Sequence, residues 1–298
     1  MTLTEWLRDP NPSSRLQSRM VQSYLSWLRL KRNRLAMVGL FISVALVFIA
    51  IFAPVLAPYD PITQTLAERL QPPLTPGHWM GTDDFGRDIW SRILYGSRIT
   101  LYIVLLVILT APVFGLIVGT VAGYFGGWVD QVLMRITDIF LAFPKLILAL
   151  ALVAVLGPGM VNAVLAIALT SWPPYARVAR AETLTVRKSD YIAAVKLQGA
   201  GSMRVIWGHI MPMCLPSVII RVTLDMAGVI LTAAGLGFLG LGVQPPMASL
   251  GALIAGGASD MELAPWLLIF PSLVMVMTLM SFNFIGDGLR DAIDPKDR

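Results

Sequence analysis

The chain has 298 residues, of which 56% are hydrophobic and only 14% are charged. Soluble domains carry about 25% charged residues, so this composition indicates a membrane protein and excludes an ordinary soluble fold. The net charge of +5 comes largely from basic clusters beside apolar runs, which is a signal of membrane topology rather than of nucleic-acid binding.

Five stretches without a charged residue predict the membrane spans, because a helix needs about 20 residues to cross the bilayer core. They cover residues 35–59, 99–129, 146–176, 226–259 and 263–286. Gly157-Pro158-Gly159 interrupts the third stretch, with an apolar run on each side, and divides it into two helices. The chain is therefore predicted to be an all-α membrane protein with six transmembrane helices.

The distribution of basic residues predicts the orientation of these spans, since Lys and Arg stay on the cytoplasmic side. Residues 1–34 contain seven basic residues and residues 177–204 contain six, whereas residues 242–265 contain none. Both termini are therefore predicted to lie in the cytoplasm.

Five segments follow from this topology. They are a cytoplasmic N-terminal segment (1–34), a first transmembrane helix (35–58), an external, periplasmic loop (59–98), a five-helix core (99–286) and a cytoplasmic tail (287–298). The external loop is rich in proline, which predicts an irregular, packed segment that serves as a cap or a docking surface.

A row of glycines at a spacing of four lies in the second span, at Gly115, Gly119, Gly123 and Gly127. On a helix these residues form one bare stripe, which lets another backbone approach closely. We expect a helix-packing face here rather than a surface that lines a path.

Charged residues near the spans are few. The approach to the third span contains four that can pair or extend to the interface, namely Asp130, Arg135, Asp138 and Lys145. In the fifth span, Arg221 and Asp225 stand one helical turn apart and are expected to neutralise each other. Both groups are predicted near the cytoplasmic ends of their spans, which argues against a proton relay.

The sequence lacks the motifs of a catalytic or cofactor site. It contains no G-x-x-x-x-G-K-[ST] loop, so a partner must hydrolyse any ATP that is used. The G-x-G-x-x-G match at Gly235, Gly237 and Gly240 lies in an apolar span without a βαβ unit, and we interpret it as small-residue packing. The predicted topology separates His78 from His209, which excludes a site that uses both.

Three aspartates in the segment GTDDFGRD, at positions 83, 84 and 88, could suggest a cation site. Their spacing fits no calcium loop, and Arg87 lies among them. We expect a turn with Asp caps and an Arg partner, and no metal. The lone cysteine, Cys214, cannot form a disulfide within the chain.

Between Asp190 and Pro212 the helical pattern predicts two short helices separated by Gly199-Ala200-Gly201. Two interpretations remain open from the residues alone. The hairpin rests in the lipid headgroups as an amphipathic element, or it docks a cytoplasmic partner and passes that partner's movement to the fourth and fifth spans.

This stretch resembles the EAA loop of ABC importer permeases, E-A-A-x-x-x-G followed nine residues later by I-x-L-P. Here the match runs through Ala193-Ala194-Val195, Gly199 and His209-Ile210-Met211-Pro212. The family's Glu, which makes a polar contact with the ATPase, is replaced by Ala193, so docking would rely on shape and on neighbouring side chains. The coupling residues that the resemblance implies are Ala193, Ala194, Lys196, Gly199, Arg204, His209 and Pro212.

Four further motifs, in order along the chain, resemble the dipeptide, oligopeptide and nickel permease family, specifically its dipeptide-permease C type. They are GTDDFGRDIWSRILYGSRITL, AGYFGGWVDQVLMRITDIFLAFP, LGFLGLGVQPP and FNFIGDGLRDAIDP. The resemblance implies the type I ABC importer permease fold in a bacterial inner membrane.

The resemblance also implies partners. These are a second homologous permease, two cytoplasmic ATPases that bind ATP and Mg, and a periplasmic solute-binding protein, while this chain binds no cofactor itself. Di- or oligopeptides are the expected cargo, with nickel or opines as alternatives. An ion-coupled secondary transporter is the alternative from another class, and it would require broken helices and ionisable residues at mid-bilayer. An intramembrane enzyme is disfavoured because the two histidines are separated.

Overall fold

The computed structural model describes residues 14–293, and within that range the chain is mostly helical, with no β-strand. Residues 1–13 of the predicted N-terminal segment and 294–298 of the predicted tail lie outside the described range. The helices are α1 (Arg15–Arg32), α2 (Arg34–Leu56), α3 (Ile89–Phe125), α4 (Gly127–Ala142), α5 (Lys145–Leu156), α6 (Met160–Val186), α7 (Asp190–Leu197), α8 (Ser202–Phe238), α9 (Leu250–Ser259) and α10 (Trp266–Ile293). Within α8, residues Ile206–Ile210 form a π-helical turn.

Asn33 separates the first two helices. It ends α1, and its side chain accepts a hydrogen bond from the amide of Ala36 at 3.1 Å, which caps α2. α2 packs along α10, where a Cβ atom at Gly39 would lie 2.7 Å from Cβ of Phe284 and where Ser43 and Ser281 share a hydrogen bond of 3.0 Å. Small and polar residues thus hold the first apolar helix against the last one.

Four helices are long and apolar enough to cross a membrane, namely α2, α3, α8 and α10. The pair α4 and α5 qualifies only as one broken span, because the two helices meet at an angle of 94°. Length and composition of the described helices therefore support four or five spans, and the predicted count of six depends on α6.

α6 is 27 residues long but is strongly apolar only in its first half. It packs most extensively against α3, and its small residues Ala166, Ala176 and Ala179 are completely buried. Its first half exposes apolar side chains such as Val161 and Leu165, whereas its second half contains charged residues, so the helix as a whole is less hydrophobic than its neighbours.

Two helices extend beyond the apolar spans that the sequence predicts. α3 begins at Ile89 rather than near residue 99, because Asp88 caps it: the Asp88 carboxylate accepts hydrogen bonds from the amide and the hydroxyl of Ser91 at 2.8 and 2.7 Å. Its first turns contain Arg92 and Arg98, which the charge-free window excluded. The predicted external loop therefore ends at Asp88, and α10 continues to Ile293 through most of the predicted tail.

The segment before α3, the loop after α8 and the short helix α9 pack together at one end of the bundle. Ile93, Leu250 and Leu267 lie in their shared apolar cluster, and the Trp266 indole donates a hydrogen bond to the Thr82 carbonyl at 3.4 Å. The proline-rich external segment is thus packed rather than extended, as its composition predicts.

Candidate coupling site and transport path

The two ends of α3 separate the external segment from the predicted coupling hairpin. The external segment leads into the start of α3, whereas at its far end Arg187 Nη1 donates to the Gly123 carbonyl at 2.7 Å and Lys196 Nζ lies 5.0 Å from the centre of the Tyr124 ring. With its 37 residues, α3 is about 55 Å long. The two regions therefore lie on opposite faces of the molecule.

The hairpin formed by α7 and the first turns of α8 has an apolar inner face. Ile192, Val205 and Ile210 are completely buried. The chain reverses at Gly199, whose φ of +82° is a conformation that side-chain-bearing residues adopt only with strain. The break between the two helices thus lies where the glycine pattern predicts it.

The outer surface of the hairpin contains most of the predicted coupling residues. Ala193, Ala194, Lys196, Gly199, Arg204 and Pro212 are exposed, and His209 is partly exposed. Large apolar side chains share this surface: Leu197 is 90% exposed, Met203 63% and Trp207 57%. The surface therefore combines exposed apolar side chains with the basic groups of Lys196 and Arg204.

Tyr191 and His209 close the hairpin. The Tyr191 hydroxyl lies 2.6 Å from Nδ1 of His209, and the two rings meet edge to face. His209 belongs to the π-helical turn of α8, which shifts the helix register by one residue and aims the ring at α7. The sequence contains no signal for such a turn, so this pair was not predicted.

Three of the four predicted glycines face α6. A Cβ atom at Gly115 would lie 2.6 Å from the Trp172 carbonyl oxygen, one at Gly123 would lie 2.7 Å from Cβ of Thr183, and one at Gly119 would overlap the Ala176 carbonyl. Gly127 does not belong to this face, which corrects the prediction. α3 ends at Phe125, and Gly127 (φ +52°) starts α4 with open space around its Cα.

The charged residues around the third span do not form one group. Asp130 pairs with Arg180 and Asp138 pairs with Arg177, both between α4 and α6. Lys145 lies apart from them at the start of α5, where it interacts electrostatically with Asp225 and Arg221 of α8.

Arg221 and Asp225 pair as predicted, through two N–O contacts of 3.0 Å each. α8 begins at Ser202, well before the predicted start of the fifth span, so the pair lies near the middle of a 37-residue helix.

The external segment contains the predicted turn around Asp83. Its carboxylate accepts hydrogen bonds from the amides of Phe85 and Arg87 at 2.9 Å each and pairs with Arg87 Nε at 2.7 Å. Burial and the neighbouring charge of Asp83 raise the pKa of Asp84. Among residues 14–293 no three His, Cys, Asp or Glu side chains are grouped so as to hold a metal ion.

His78 is buried in the same segment. Its Nδ1 lies 3.0 Å from a carboxylate oxygen of Asp88, its Nε2 lies 3.4 Å from Glu68, and the Tyr59 ring stacks on it at 4.8 Å. Since Asp88 also caps α3, His78 links the external segment to the start of that helix. Its role here is structural.

Comparisons with known proteins agree with this architecture. Residues 115–298 match the family model described as binding-protein-dependent transport system inner membrane component, and residues 22–73 match the N-terminal TM domain of oligopeptide transport permease C. Among solved structures, the inward-facing MetNI methionine ABC transporter is similar with a TM-score of 0.55 and 20% identity, over 69% of this chain and 98% of that one. The latter likeness concerns the fold alone.

Similar curated proteins span nearly the whole chain. The dipeptide transport system permease protein DppC of Alkalihalophilus pseudofirmus is 44% identical over 90% of this chain and 88% of its own length. The glutathione transport system permease protein GsiD of Pectobacterium atrosepticum is 42% identical over 91% and 90%. The probable D,D-dipeptide transport system permease protein DdpC of Escherichia coli K12 is 41% identical over 94% and 93%.

These matches confirm the resemblance that the sequence motifs carry. They extend over the external segment, the helical bundle and the coupling hairpin, and they agree with a chain of several apolar helices. The chain therefore belongs to the family of inner membrane components of binding-protein-dependent transport systems, as a non-catalytic, multi-pass permease subunit.

Proposed function

We propose that this chain is one of two permease subunits of an ATP-driven importer for di- or oligopeptides. The cargo rests on one observation: similar proteins that cover nine tenths of the chain are named as permeases for dipeptides, glutathione and D,D-dipeptides. All three are short peptides, and this shared chemistry favours peptides over nickel or opines.

The proposed topology has six crossings, made by α2, α3, the broken pair α4–α5, α6, α8 and α10. An even number of crossings puts both termini on the same side. Contacts between the two ends of the chain support this. Arg29 Nη1 of α1 donates a hydrogen bond to the Ala292 carbonyl at 3.3 Å, and the Asn33 side-chain amide donates one to the Asp291 carboxylate at 3.4 Å. The excess of basic residues in residues 1–34 makes that side the cytoplasm.

The proposed assembly contains a second, homologous permease, two cytoplasmic ATPases that hold ATP and Mg, and a periplasmic solute-binding protein. This chain supplies half of the path and no nucleotide site. Its external surface, formed by residues 59–88 and 239–265, faces the binding protein, and the core from α3 to α10 forms the path.

The coupling hairpin is proposed to dock one ATPase. α8 runs without a break from the hairpin into the bundle, so a displacement of the hairpin shifts the whole helix. Lys196 of the hairpin and Arg187, which ends α6 just before it, both contact the end of α3, which transmits the same displacement to a second span. Since Ala193 offers no polar contact, the exposed apolar residues and Arg204 would hold the ATPase.

The assembly can be tested by purifying the tagged chain from its host in mild detergent and identifying the proteins that accompany it. We expect a second permease and an ATPase whose activity in proteoliposomes rises when the peptide-loaded binding protein is added. Transport of peptide by the chain with an ion gradient and without an ATPase would contradict the proposal and support a secondary transporter.

Coupling can be tested at the hairpin. Gly199→Pro and Arg204→Glu are expected to reduce peptide uptake at least tenfold while membrane insertion persists. Gly199→Ala and Gly201→Ala form a matched pair, because both sites are open but only Gly199 has a positive φ. Uptake should fall with Gly199→Ala alone. Unaltered uptake in all variants would instead favour a hairpin that rests on lipid.

A further inference from the structure

A polar cluster lies inside the helical bundle, away from the hairpin and from the external segment. It consists of Lys145 at the start of α5, Tyr175 on α6, and Arg221 and Asp225 on α8; we name these four residues the central cluster. Arg221 holds Asp225 through two contacts of 3.0 Å. Tyr175, which is only 1% exposed, lies close enough to interact with the same carboxylate electrostatically.

The central cluster is placed deep in the bundle by the lengths of its helices. At a rise of about 1.5 Å per residue, Lys145 lies roughly 17 Å from the end of α5 at Leu156, and Asp225 lies roughly 20 Å from the end of α8 at Phe238. The apolar core of a bilayer is about 30 Å thick. Ionisable groups at this depth are costly and mark functional sites.

The charges of the central cluster do not cancel. Arg221 and Asp225 neutralise each other, whereas Lys145 interacts with both but forms no ion pair within the described part of the chain. One positive charge therefore remains. The side chains of Arg221 and Asp225 are 40% and 23% exposed in the isolated chain. Because hydrocarbon cannot solvate them, this open side must face a water-filled path or the second permease.

The helix break adds to the positive character of the same place. α4 and α5 meet at 94°, and no side chain caps α5, which begins with Lys145 after Pro144. The free N–H groups of the first turn carry a partial positive charge. Half-helices that begin inside a membrane protein use this arrangement to receive anionic groups of a substrate.

We infer that the central cluster lines the translocation path and that Lys145 receives the ionised carboxylate of the cargo as it passes. Arg221 pairs with Asp225, which limits the positive charge of the site to one unit, so that the cargo carboxylate is attracted without being retained. This inference rests on the proposed function, because a peptide with a free C-terminus supplies the carboxylate.

The test uses the whole importer in proteoliposomes with its binding protein, and radiolabelled dialanine as the probe. Dialanine has a single anionic group, its carboxylate. Lys145→Cys removes the cation, and treatment with 2-aminoethyl methanethiosulfonate restores a cation at the same position, whereas 2-sulfonatoethyl methanethiosulfonate installs an anion. The native importer treated with each reagent is the control for side reactions. In this chain we expect none, since its cysteine, Cys214, is completely buried.

A matched control is Val44→Cys on α2. Val44 is 60% exposed and lies roughly 18 Å from the end of its helix at Leu56, a depth similar to that of Lys145. Its environment is apolar, so both charged reagents should leave it unmodified.

We expect Lys145→Cys to reduce dialanine uptake at least tenfold, and the cationic reagent to restore it to within about threefold of the native rate while the anionic reagent does not. Restoration in the assembled importer also shows that the variant is folded. Native uptake by Lys145→Cys, a cysteine that neither reagent reaches, or equal restoration by both reagents would overturn the inference. A native importer that fails to take up dialanine with ATP would instead contradict the proposed function.

Discussion

Arg180 donates two hydrogen bonds to the carboxylate of Asp130, from Nε at 2.5 Å and from Nη2 at 2.6 Å, and this pair joins α6 to α4. A second pair, Arg177 with Asp138, bridges the same helices through one contact of 2.7 Å. The two pairs differ in burial: the Asp130 side chain is 17% exposed, whereas that of Asp138 is 52% exposed.

Arg180→Ala is expected to destabilise the purified importer by about 1 kcal/mol, since it leaves a partly buried carboxylate without its partner. Arg177→Ala is the matched control. We expect it to lower the free energy of unfolding by less than about 0.5 kcal/mol, because Arg177 and its partner Asp138 are both exposed. Thermal unfolding in detergent measures both. Equal losses in the two variants would show that the geometry of the Arg180 pair is unimportant.

Gly119→Ala is expected to disturb the contact between α3 and α6, because the new methyl group would overlap the Ala176 carbonyl. Overpacking of this kind costs about 1–3 kcal/mol. Gly228→Ala makes the same change on α8 where no atom lies within 4 Å, and it should leave the melting temperature unchanged or raise it, because Ala is the better helix former. A stable Gly119→Ala variant would contradict the close approach of the two helices.

Asp88→Ala removes both the cap of α3 and the partner of His78. Loss of a helix cap costs about 1 kcal/mol, and the buried imidazole then lacks one of its two partners. We expect faster proteolysis of the external segment and lower thermal stability. Asp60→Ala removes only an exposed turn contact to the Ile62 amide and should behave as the native chain.

The raised pKa of Asp84 predicts a dependence of stability on pH. Since the folded state binds this proton more tightly than the unfolded chain does, folding is opposed once the pH rises above the unfolded pKa of about 3.9. Asp84→Asn removes that opposition, so the variant should melt at or above the native temperature at pH 7. The difference should vanish near pH 4. A lower melting temperature at pH 7 would contradict the burial of Asp84 beside Asp83.

Tyr191→Phe is expected to weaken coupling, because the hydroxyl that contacts His209 closes the hairpin. We predict at least a threefold lower ratio of peptide taken up to ATP hydrolysed, measured in proteoliposomes, with assembly unaffected. Tyr102→Phe on α3 removes a hydroxyl with no hydrogen-bond partner among the described residues and serves as the control. An unchanged ratio for Tyr191→Phe would show that the hairpin is rigid without this contact.

The sequence alone predicted the membrane class, the apolar spans and the glycine hinge at Gly199. These features depend on local composition, because the bilayer requires long apolar runs and a positive φ favours glycine. The sequence pattern wrongly assigned Gly127 to the packing face of α3. Residues spaced by four share a helix face only while the helix continues, and α3 ends at Phe125. Charge-free stretches do not reveal the full length of α3, which begins at Ile89, because turns with charged residues beside an apolar span can still be helical.

Only the tertiary structure brought Lys145 to Arg221 and Asp225, and Tyr191 to His209. Both arrangements join residues of different helices. The electrostatic interaction of Lys145 occurs beside a 94° bend, and the contact of Tyr191 with His209 depends on a π-helical turn. Pro144 marks the helix break in the sequence but not its angle, and the π-helical turn has no signature in the local pattern. Both geometries are set by how the neighbouring helices pack. The sequence by itself thus determined which segments are apolar enough to enter a membrane and the family to which the chain belongs, whereas packing decided which charged groups lie near one another in the helical bundle.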